Sequence, residues 1–468
     1  MSRFLLPETP IATLDEWLRT DVGGRGIERA RELGRDQTIA EINLAGLRGR
    51  GGAGFRTGRK WRTVADQPGR HRYVACNGAE GEPATFKDRA LMRSNPYQLV
   101  EGVIVAAFAV QAVETFICVK ATFQQEVDTV TRAVQEMTGA GLCGDCTITI
   151  VTGPDEYLFG EEKAMLEVIE GKPPLPGLLP PFEHGLFVTT PQTGWESDEA
   201  QPGHTGPHEA NPTLVNNVET LSNVVHILVH GAEWYRTMGT DNSPGNVVCT
   251  VVGDVTRPAV EEVELGTSLR TVIESVGGGV GAGRSVKAVF SGVANPVVTG
   301  DQLDVPLSYE GFQAIGSGMG AAGFAVYDDT ACMVEVARQF SRFLYVESCG
   351  QCPPCKLGSG EITQRLARLE AGAGDETDVG EIGGWLEKVT DGNRCYLAVE
   401  EQAIVQSILR AFPDEIVEHM EGGRCPRPRP LVLPKLVDLE NGRAVYDERQ
   451  WLKQPDWTYA RSADELRD

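Results

Sequence analysis

No run of about eighteen consecutive apolar residues occurs anywhere in the 468-residue sequence, so it offers no membrane-spanning helix. Positive charge is scarce. Lysine and arginine total 43 against 66 aspartates and glutamates, a formal net charge of −23. That balance argues against nucleic acid as a partner, because phosphate backbones need a basic face. The opening Met-Ser-Arg-Phe-Leu-Leu-Pro has neither a long apolar core nor a small-residue cleavage site. It predicts no secretory leader and a cytoplasmic chain. In an unexported protein, eleven cysteines read as thiols or metal ligands rather than as a disulfide framework. Apolar content is ordinary for a globular protein, and the length allows roughly two to four domains.

One stretch stands out, Leu47 to Trp61, which reads Leu-Arg-Gly-Arg-Gly-Gly-Ala-Gly-Phe-Arg-Thr-Gly-Arg-Lys-Trp. Gly49, Gly51, Gly52, Gly54 and Gly58 clear side-chain bulk from one arc of backbone, so that N–H groups can approach a phosphate. Arg48, Arg50, Arg59 and Lys60 add positive charge on either side, and Phe55 and Trp61 are available to pack on a ring. The letters Gly49-x-Gly51-x-x-Gly54 fit the dinucleotide fingerprint, but that fingerprint follows a strand. Here residues 38–47 read as helix, and no acidic residue is clearly placed to grip a ribose. The reading is a nucleotide cradle outside an ordinary Rossmann crossover. The alternative is a plain surface loop.

Downstream, residues 71–76 read as a strand ending at Asn77-Gly78-Ala79-Glu80-Gly81-Glu82-Pro83. A helix over 95–112, a strand over 114–120, a helix over 124–137 and a strand over 147–151 follow. This alternation predicts a parallel, helix-covered sheet, whose strand ends are where ligands bind. Tyr157-Leu-Phe-Gly160-Glu161-Glu162 comes next and leads into a helix to about Glu170. Its glutamates suit a helix start on electrostatic grounds alone. Residues 184–212 carry His184, His204 and His208 without periodicity and read as a long surface loop with no metal spacing. Val215-Asn216-Asn217-Val218-Glu219-Thr220 opens a further helix. A small mixed α/β module follows from about residue 247. Helices are predicted over 330–347, 360–370, 379–390 and 398–412, and the chain beyond Cys425 reads as an extended tail.

Cys349-Gly-Gln-Cys352-Pro-Pro-Cys355 is a C-x2-C-x2-C cluster, with Cys395 further on. Four thiolates can ligate a [4Fe–4S] cluster. A structural zinc site usually pairs two C-x2-C knuckles, so the iron–sulfur reading fits better than zinc. Cys143-Gly-Asp-Cys146 precedes a strand rather than a helix, and reads as two incidental thiols more than a redox pair. Cys76, Cys118, Cys249 and Cys332 sit in apolar surroundings and read as core. Cys425 receives no role.

Taken together, the glycine cradle, the Asn-rich turn, the Gly-Glu-Glu turn and the cysteine quartet resemble the NADH-oxidising flavoprotein subunit of respiratory complex I. They equally resemble the matching subunits of NAD-linked hydrogenases and formate dehydrogenases. The resemblance covers residues 40–425. It implies an α/β FMN- and NADH-binding domain over 1–242 and a ubiquitin-like β-grasp module over 243–329. A helical [4Fe–4S] domain over 330–425 and an extended tail over 426–468 complete it. It further implies that the cofactor-binding residues are Gly49, Arg50, Gly51, Gly52, Ala53, Phe55, Lys60, Asn77, Glu80, Tyr157, Gly160, Glu161, Phe182, Val215, Asn216, Asn217 and Thr220. Glu82 and Glu162 are the implied catalytic carboxylates, and Cys349, Cys352, Cys355 and Cys395 the cluster ligands. NADH would give hydride to flavin, and single electrons would pass through the cluster to a thioredoxin-like [2Fe–2S] partner in a larger redox complex. Four positions depart from the family pattern. Ala79 replaces an aspartate, Thr63 a phenylalanine, Leu179 a basic residue and Ala321 a threonine, and residues 185–211 look like an insertion. These departures imply weakened or altered NAD(H) use. A relative that relays electrons between protein partners is the alternative.

Overall fold

The computed structural model describes residues 3–68, 71–187, 211–422, 425–427 and 429–461. The chain forms two compact units. The first comprises residues up to Glu80, Lys87–Val248 and Glu262–Gly266, and the second Gly81–Phe86, Cys249–Glu261 and everything from Thr267.

The first unit is built on a four-stranded parallel sheet of order β3-β2-β1-β4. The strands are β1 Tyr73–Gly78, β2 Glu114–Lys120, β3 Thr147–Gly153 and β4 Thr213–Asn217. The alternation of strand and helix in the sequence yields this sheet because each parallel return needs a crossover. Side chains alternate across the pleat. Tyr73 and Ala75 face a core with Phe116, Cys118, Phe159, Met165 and Val215. Helix Pro96–Val110 starts with Pro96 at its first turn, where the missing N–H is harmless, and is buried along nearly its whole length. It packs against helix Val218–His230. The chain runs from β1 outward through β2 to β3 and then returns to the other side of β1. The strand order therefore reverses between β1 and β4, which opens a crevice at their carboxyl ends.

Asn246 to Asp328 builds a mixed five-stranded sheet of order β6-β5-β9-β7-β8. Its strands are β5 Asn246–Gly253, β6 Ala259–Glu264, β7 Val286–Ser291, β8 Val298–Thr299 and β9 Gly323–Asp328, with helix Leu269–Ser275 between β6 and β7. The second unit continues with helices Met333–Glu347, Pro353–Glu370, Glu376–Lys388, Leu397–Ala411 and Pro413–Gly422. These helices pack on one another, and Phe340, Leu344, Ile362, Leu366, Ile404 and Ile408 on them are fully buried. Helix Pro353–Glu370 starts well before the expected residue 360, because Pro353 and Pro354 occupy the first turn instead of breaking it.

The last segment is not an extended tail. β10 Leu436–Glu440 and β11 Arg443–Tyr446 pair as an antiparallel hairpin. Beyond it the Lys453 ammonium lies 2.8 Å from the Glu347 carboxylate, both fully buried. A composition rich in proline and charge signals neither contact. No described helix is long and apolar enough to cross a membrane.

Candidate flavin crevice and cysteine cluster

The glycine loop is closed on itself. Gly49 N–H donates to the Phe55 carbonyl at 2.8 Å, and Arg48 Nε–H to the Gly54 carbonyl at 2.7 Å. Gly52 and Gly54 have φ of 123° and 62°, a region that side chains disfavour. The loop opens directly into helix Thr57–Asp66, which carries Lys60, so an anion here meets a helix N-terminus as well as loop amides.

Three other segments converge on the same crevice. Asn77 at the end of β1 pairs in register with Asn217 at the end of β4. The Asn77 amide donates to the Gly160 carbonyl at 2.7 Å, tying β1 to the turn after β3. A Cβ on Gly51 would stand 3.3 Å from Asn217 Cβ, and one on Gly160 would stand 3.2 Å from the Ala79 carbonyl. Glycine is what lets these backbones approach so closely. Val215 and Thr220 are buried behind them, while Phe55 is 51 % exposed at the rim.

The structure reassigns several side chains. The Arg50 guanidinium does not flank the loop. It turns into the core, donating to Tyr235 Oη at 3.1 Å and to the carbonyls of Pro244 and Asn246 at 3.3 and 2.9 Å, beside Glu219 at 3.7 Å. Its backbone N–H donates to Thr220 Oγ1 at 2.8 Å. Trp61 does not offer a stacking face: it is fully buried, and its indole N–H donates to Asn216 Oδ1 at 2.7 Å. Lys60 Nζ lies 2.8 Å from Glu162 Oε2. The Glu82 carboxylate lies in the second unit, where it accepts from Val293 N–H at 2.6 Å. Phe182 is half-buried, and Tyr157 and Gly160 form a single 3-10 turn. Ala321 also belongs to the second unit. The insertion lies mostly outside the described residues, and with it His204 and His208.

Sequence reasoning missed the charged group beneath the crevice. Lys87 Nζ donates to Asn217 Oδ1 at 3.1 Å and pairs with Asp88 at 2.7 Å and Glu219 at 3.0 Å. Asp88 accepts in turn from the Asn217 amide at 2.7 Å. Burial pulls the Lys87 ammonium down, but Asp88, Glu219 and Glu80 outweigh it and hold it above the usual lysine range. The available signal was a Lys-Asp pair within an otherwise ordinary helix start. Glu80 receives the N–H groups of Asp88 and Arg89, yet burial and the Asp88 charge raise its carboxyl to about 7. Glu161 caps helix Glu162–Ile169 through the N–H groups of Lys163 and Ala164, and burial lifts it to about 7 as well. At neutral pH the crevice is therefore less negative than its glutamates suggest, which favours an anionic ligand.

In the second unit, Cys352 is the residue before helix Pro353–Glu370 and Cys355 lies in its first turn. Cys349 stands on the loop just before them. Thiolates and the negative charge of a cluster are favoured at this helix end. Ser348 Oγ lies 3.5 Å from Cys355 Sγ, and the Gln351 amide donates to Cys349 Sγ at 3.6 Å. Burial pushes the Cys355 thiol to about 11, so a cation is needed to draw it into the thiolate form. Cys395 sits on the turn between helices Glu376–Lys388 and Leu397–Ala411, both of which pack on the Cys355 helix. Cys143 and Cys146 each lie beside a threonine hydroxyl, Thr138 at 3.4 Å and Thr115 at 3.7 Å.

Comparison with known proteins gives the same division. Residues 42–226 match the model of the Nuo51 FMN-binding domain, and residues 335–419 match that of the NADH-ubiquinone oxidoreductase-F iron-sulfur binding region. The F 2 subunit of NADH-quinone oxidoreductase from Rhizobium meliloti (strain 1021) is 36% identical over 86% of this chain and 94% of its own. The corresponding F subunit of Streptomyces coelicolor (strain ATCC BAA-471 / A3(2) / M145) is 34% identical over 88% of this chain and 89% of its own. Among solved structures, an NAD+-reducing [NiFe]-hydrogenase in the H2-reduced state matches with a TM-score of 0.74 and 30% identity. That match covers 90% of this chain and 68% of the hydrogenase chain. The crevice has the glycine approach and strand-end amides an FMN needs, the thiols suit a [4Fe–4S] cluster, and the chain belongs to the family of NADH-quinone oxidoreductase F subunits.

Proposed function

We propose that the chain exchanges hydride with NAD(H) at FMN held in the crevice between β1 and β4, and sends single electrons through a [4Fe–4S] cluster on Cys349, Cys352, Cys355 and Cys395. The observation that carries this reading is the convergence of the glycine loop, the Asn77 turn, the Gly160 turn and Asn217 at the point where the strand order reverses. FMN, when bound, supplies the hydride chemistry. The residues of the chain bind and orient. The loop from Gly51 to Gly54, the N-terminus of helix Thr57–Asp66 and Lys60 suit the phosphate. Asn216 and Asn217, held from behind by Trp61, Lys87 and Asp88, suit the polar edge of the ring or its ribityl chain. Gly49 and Arg50 act by shaping the loop, and Glu162 places a carboxylate beside Lys60. Glu82 is the second expected carboxylate.

The module over 243–329 is proposed as a ubiquitin-like β-grasp. Electrons would leave to a thioredoxin-like [2Fe–2S] protein. Leu357 and Tyr396 support a docking face beside the cluster ligands: they are 61 % and 58 % exposed, unusual for large apolar side chains. Anaerobic addition of NADH to the flavin-loaded chain should bleach the flavin absorption. A flavin that stays oxidised with NADH but is reduced by a partner iron–sulfur protein would favour the relay reading instead.

A further inference from the structure

A second group of metal-binding atoms lies in the helical part of the second unit, away from the cysteine quartet in sequence. Cys332 immediately precedes helix Met333–Glu347, and its Sγ accepts from Glu335 N–H at 3.4 Å. His419 lies on helix Pro413–Gly422, and Cys425 follows that helix. Cys332 Sγ and His419 Nε2 are 3.4 Å apart, and the two sulfurs and a ring nitrogen all lie within 4.8 Å of one another. Cys332 and His419 are buried, while Cys425 is half-buried.

From this geometry we propose that Cys332, His419 and Cys425 form a structural zinc site, distinct from the iron–sulfur cluster.

Three features point to a single ion. In tetrahedral zinc sites, Zn–S of about 2.3 Å and Zn–N of about 2.0 Å place neighbouring ligand atoms roughly 3.5–3.8 Å apart. The Cys332–His419 separation of 3.4 Å lies just short of that edge length. Cluster cysteines each bind their own iron and stand farther apart. Secondly, the histidine is oriented as a ligand. His419 Nδ1 lies 2.6 Å from the Glu415 carbonyl oxygen, which can only accept, so the proton is on Nδ1 and the Nε2 lone pair faces Cys332. Thirdly, positive charge stands beside the sulfurs. Cys332 stands at the positive end of a fifteen-residue helix, and the Arg427 guanidinium is held close by, 2.7 Å from Glu418 and 3.5 Å from Glu415. Water is the natural fourth ligand on the half-buried Cys425 side.

The position gives the site its role. Helix Met333–Glu347 runs from Cys332 to the loop that carries Cys349. At 1.5 Å per residue its fifteen residues span about 22 Å, so one metal cannot serve both ends. The zinc would fix the far end of the helix that delivers the cluster loop, and would clamp the chain just before it leaves for the β10–β11 hairpin.

The test is metal content of the full chain, purified under reducing conditions with any subunits that accompany it, by mass spectrometry. The expected result is about one zinc per chain in addition to iron. Cys425→Ser and His419→Gln should each lower zinc at least fivefold and leave iron and flavin unchanged, while Cys349→Ser should lower iron and leave zinc and flavin unchanged. Cobalt-grown protein gives a second readout that survives poor folding of any one variant. Thiolate-to-cobalt charge-transfer absorption should persist in Cys349→Ser and vanish in Cys425→Ser. Zinc below a tenth per chain in zinc-replete protein would overturn the proposal. So would iron falling with Cys425→Ser, or a Cys332–Cys425 disulfide found by peptide mapping of unreduced protein.

Discussion

Arg50 and Lys60 are two cations of one glycine-rich stretch, and the structure places them in opposite surroundings. Arg50 is 1 % exposed and binds Tyr235, Pro244 and Asn246 while lying beside the fully buried Glu219. Replacing it by alanine leaves Glu219 with one cation fewer and removes the guanidinium donor from two carbonyls and from Tyr235 Oη, which keeps its bond to Asn223. Removing one partner from such a buried network costs about 3–5 kcal/mol. For a unit of this size that lowers the thermal midpoint by roughly 6–20 °C. The Lys60–Glu162 pair is 23 % and 40 % exposed, so solvent screens it. Lys60→Ala should cost under about 1 kcal/mol of stability. Under the proposed function its charge serves the flavin phosphate. Losing a charge-assisted phosphate contact of about 1.5–3 kcal/mol raises the FMN dissociation constant roughly 10- to 150-fold. The assays are thermal unfolding of the flavin-free chain and titration of FMN by fluorescence quenching. The reasoning fails if Arg50→Ala unfolds within a degree or two of wild type, or if Lys60→Ala binds FMN as tightly as wild type does.

Three further outcomes are expected. Cys395→Ser should lose or distort the iron–sulfur cluster and keep FMN, because the ligands and the flavin crevice fall in different units; a normal reduced-cluster EPR signal would contradict it. His226 is fully buried against Gln98, and burial lowers its pKa from 6.5 to about 3, so the unfolded chain takes up the proton first. Stability should therefore fall as pH drops below about 6.5, by roughly 2 kcal/mol at pH 5, and His226→Gln should flatten that part of the curve of thermal midpoint against pH. NADH should bind more weakly than in family members that keep the aromatic at Thr63 and the cation at Leu179, and Thr63→Phe with Leu179→Lys should tighten it several-fold; an unchanged titration would refute this.

Much of the crevice was legible in the sequence, for reasons that are local. Glycines at 49, 51, 52 and 54 and asparagines at the ends of apolar strands are signals that need no knowledge of distant contacts. The parallel sheet was legible because its strands alternate with helices. What escaped was set by distance along the chain. The sequence carries no sign of which side of the loop the Arg50 side chain leaves, since the partners that decide it are at Glu219, Tyr235, Pro244 and Asn246. Trp61 looked available for stacking for the same reason, yet its indole is committed to Asn216 in the core.

The cysteines show the limit most clearly. Cys349, Cys352 and Cys355 announce themselves by spacing, because one loop and one helical turn supply three ligands. Cys332, His419 and Cys425 form an equally compact group, but the helices between them separate Cys332 from the other two in the chain, and Cys332 reads as an ordinary core thiol. The structure after Pro434 was hidden likewise: the buried Lys453–Glu347 pair that follows the hairpin joins residues 106 positions apart in the chain. A buried ion pair of this kind contributes little net stability, since desolvation offsets its attraction, but it penalises every arrangement that leaves one charge alone. The same logic applies to the Lys87–Asp88–Glu219 group under Asn217. In both places the charges act to specify one geometry. At the crevice that geometry is the orientation of the amide proposed to meet the flavin.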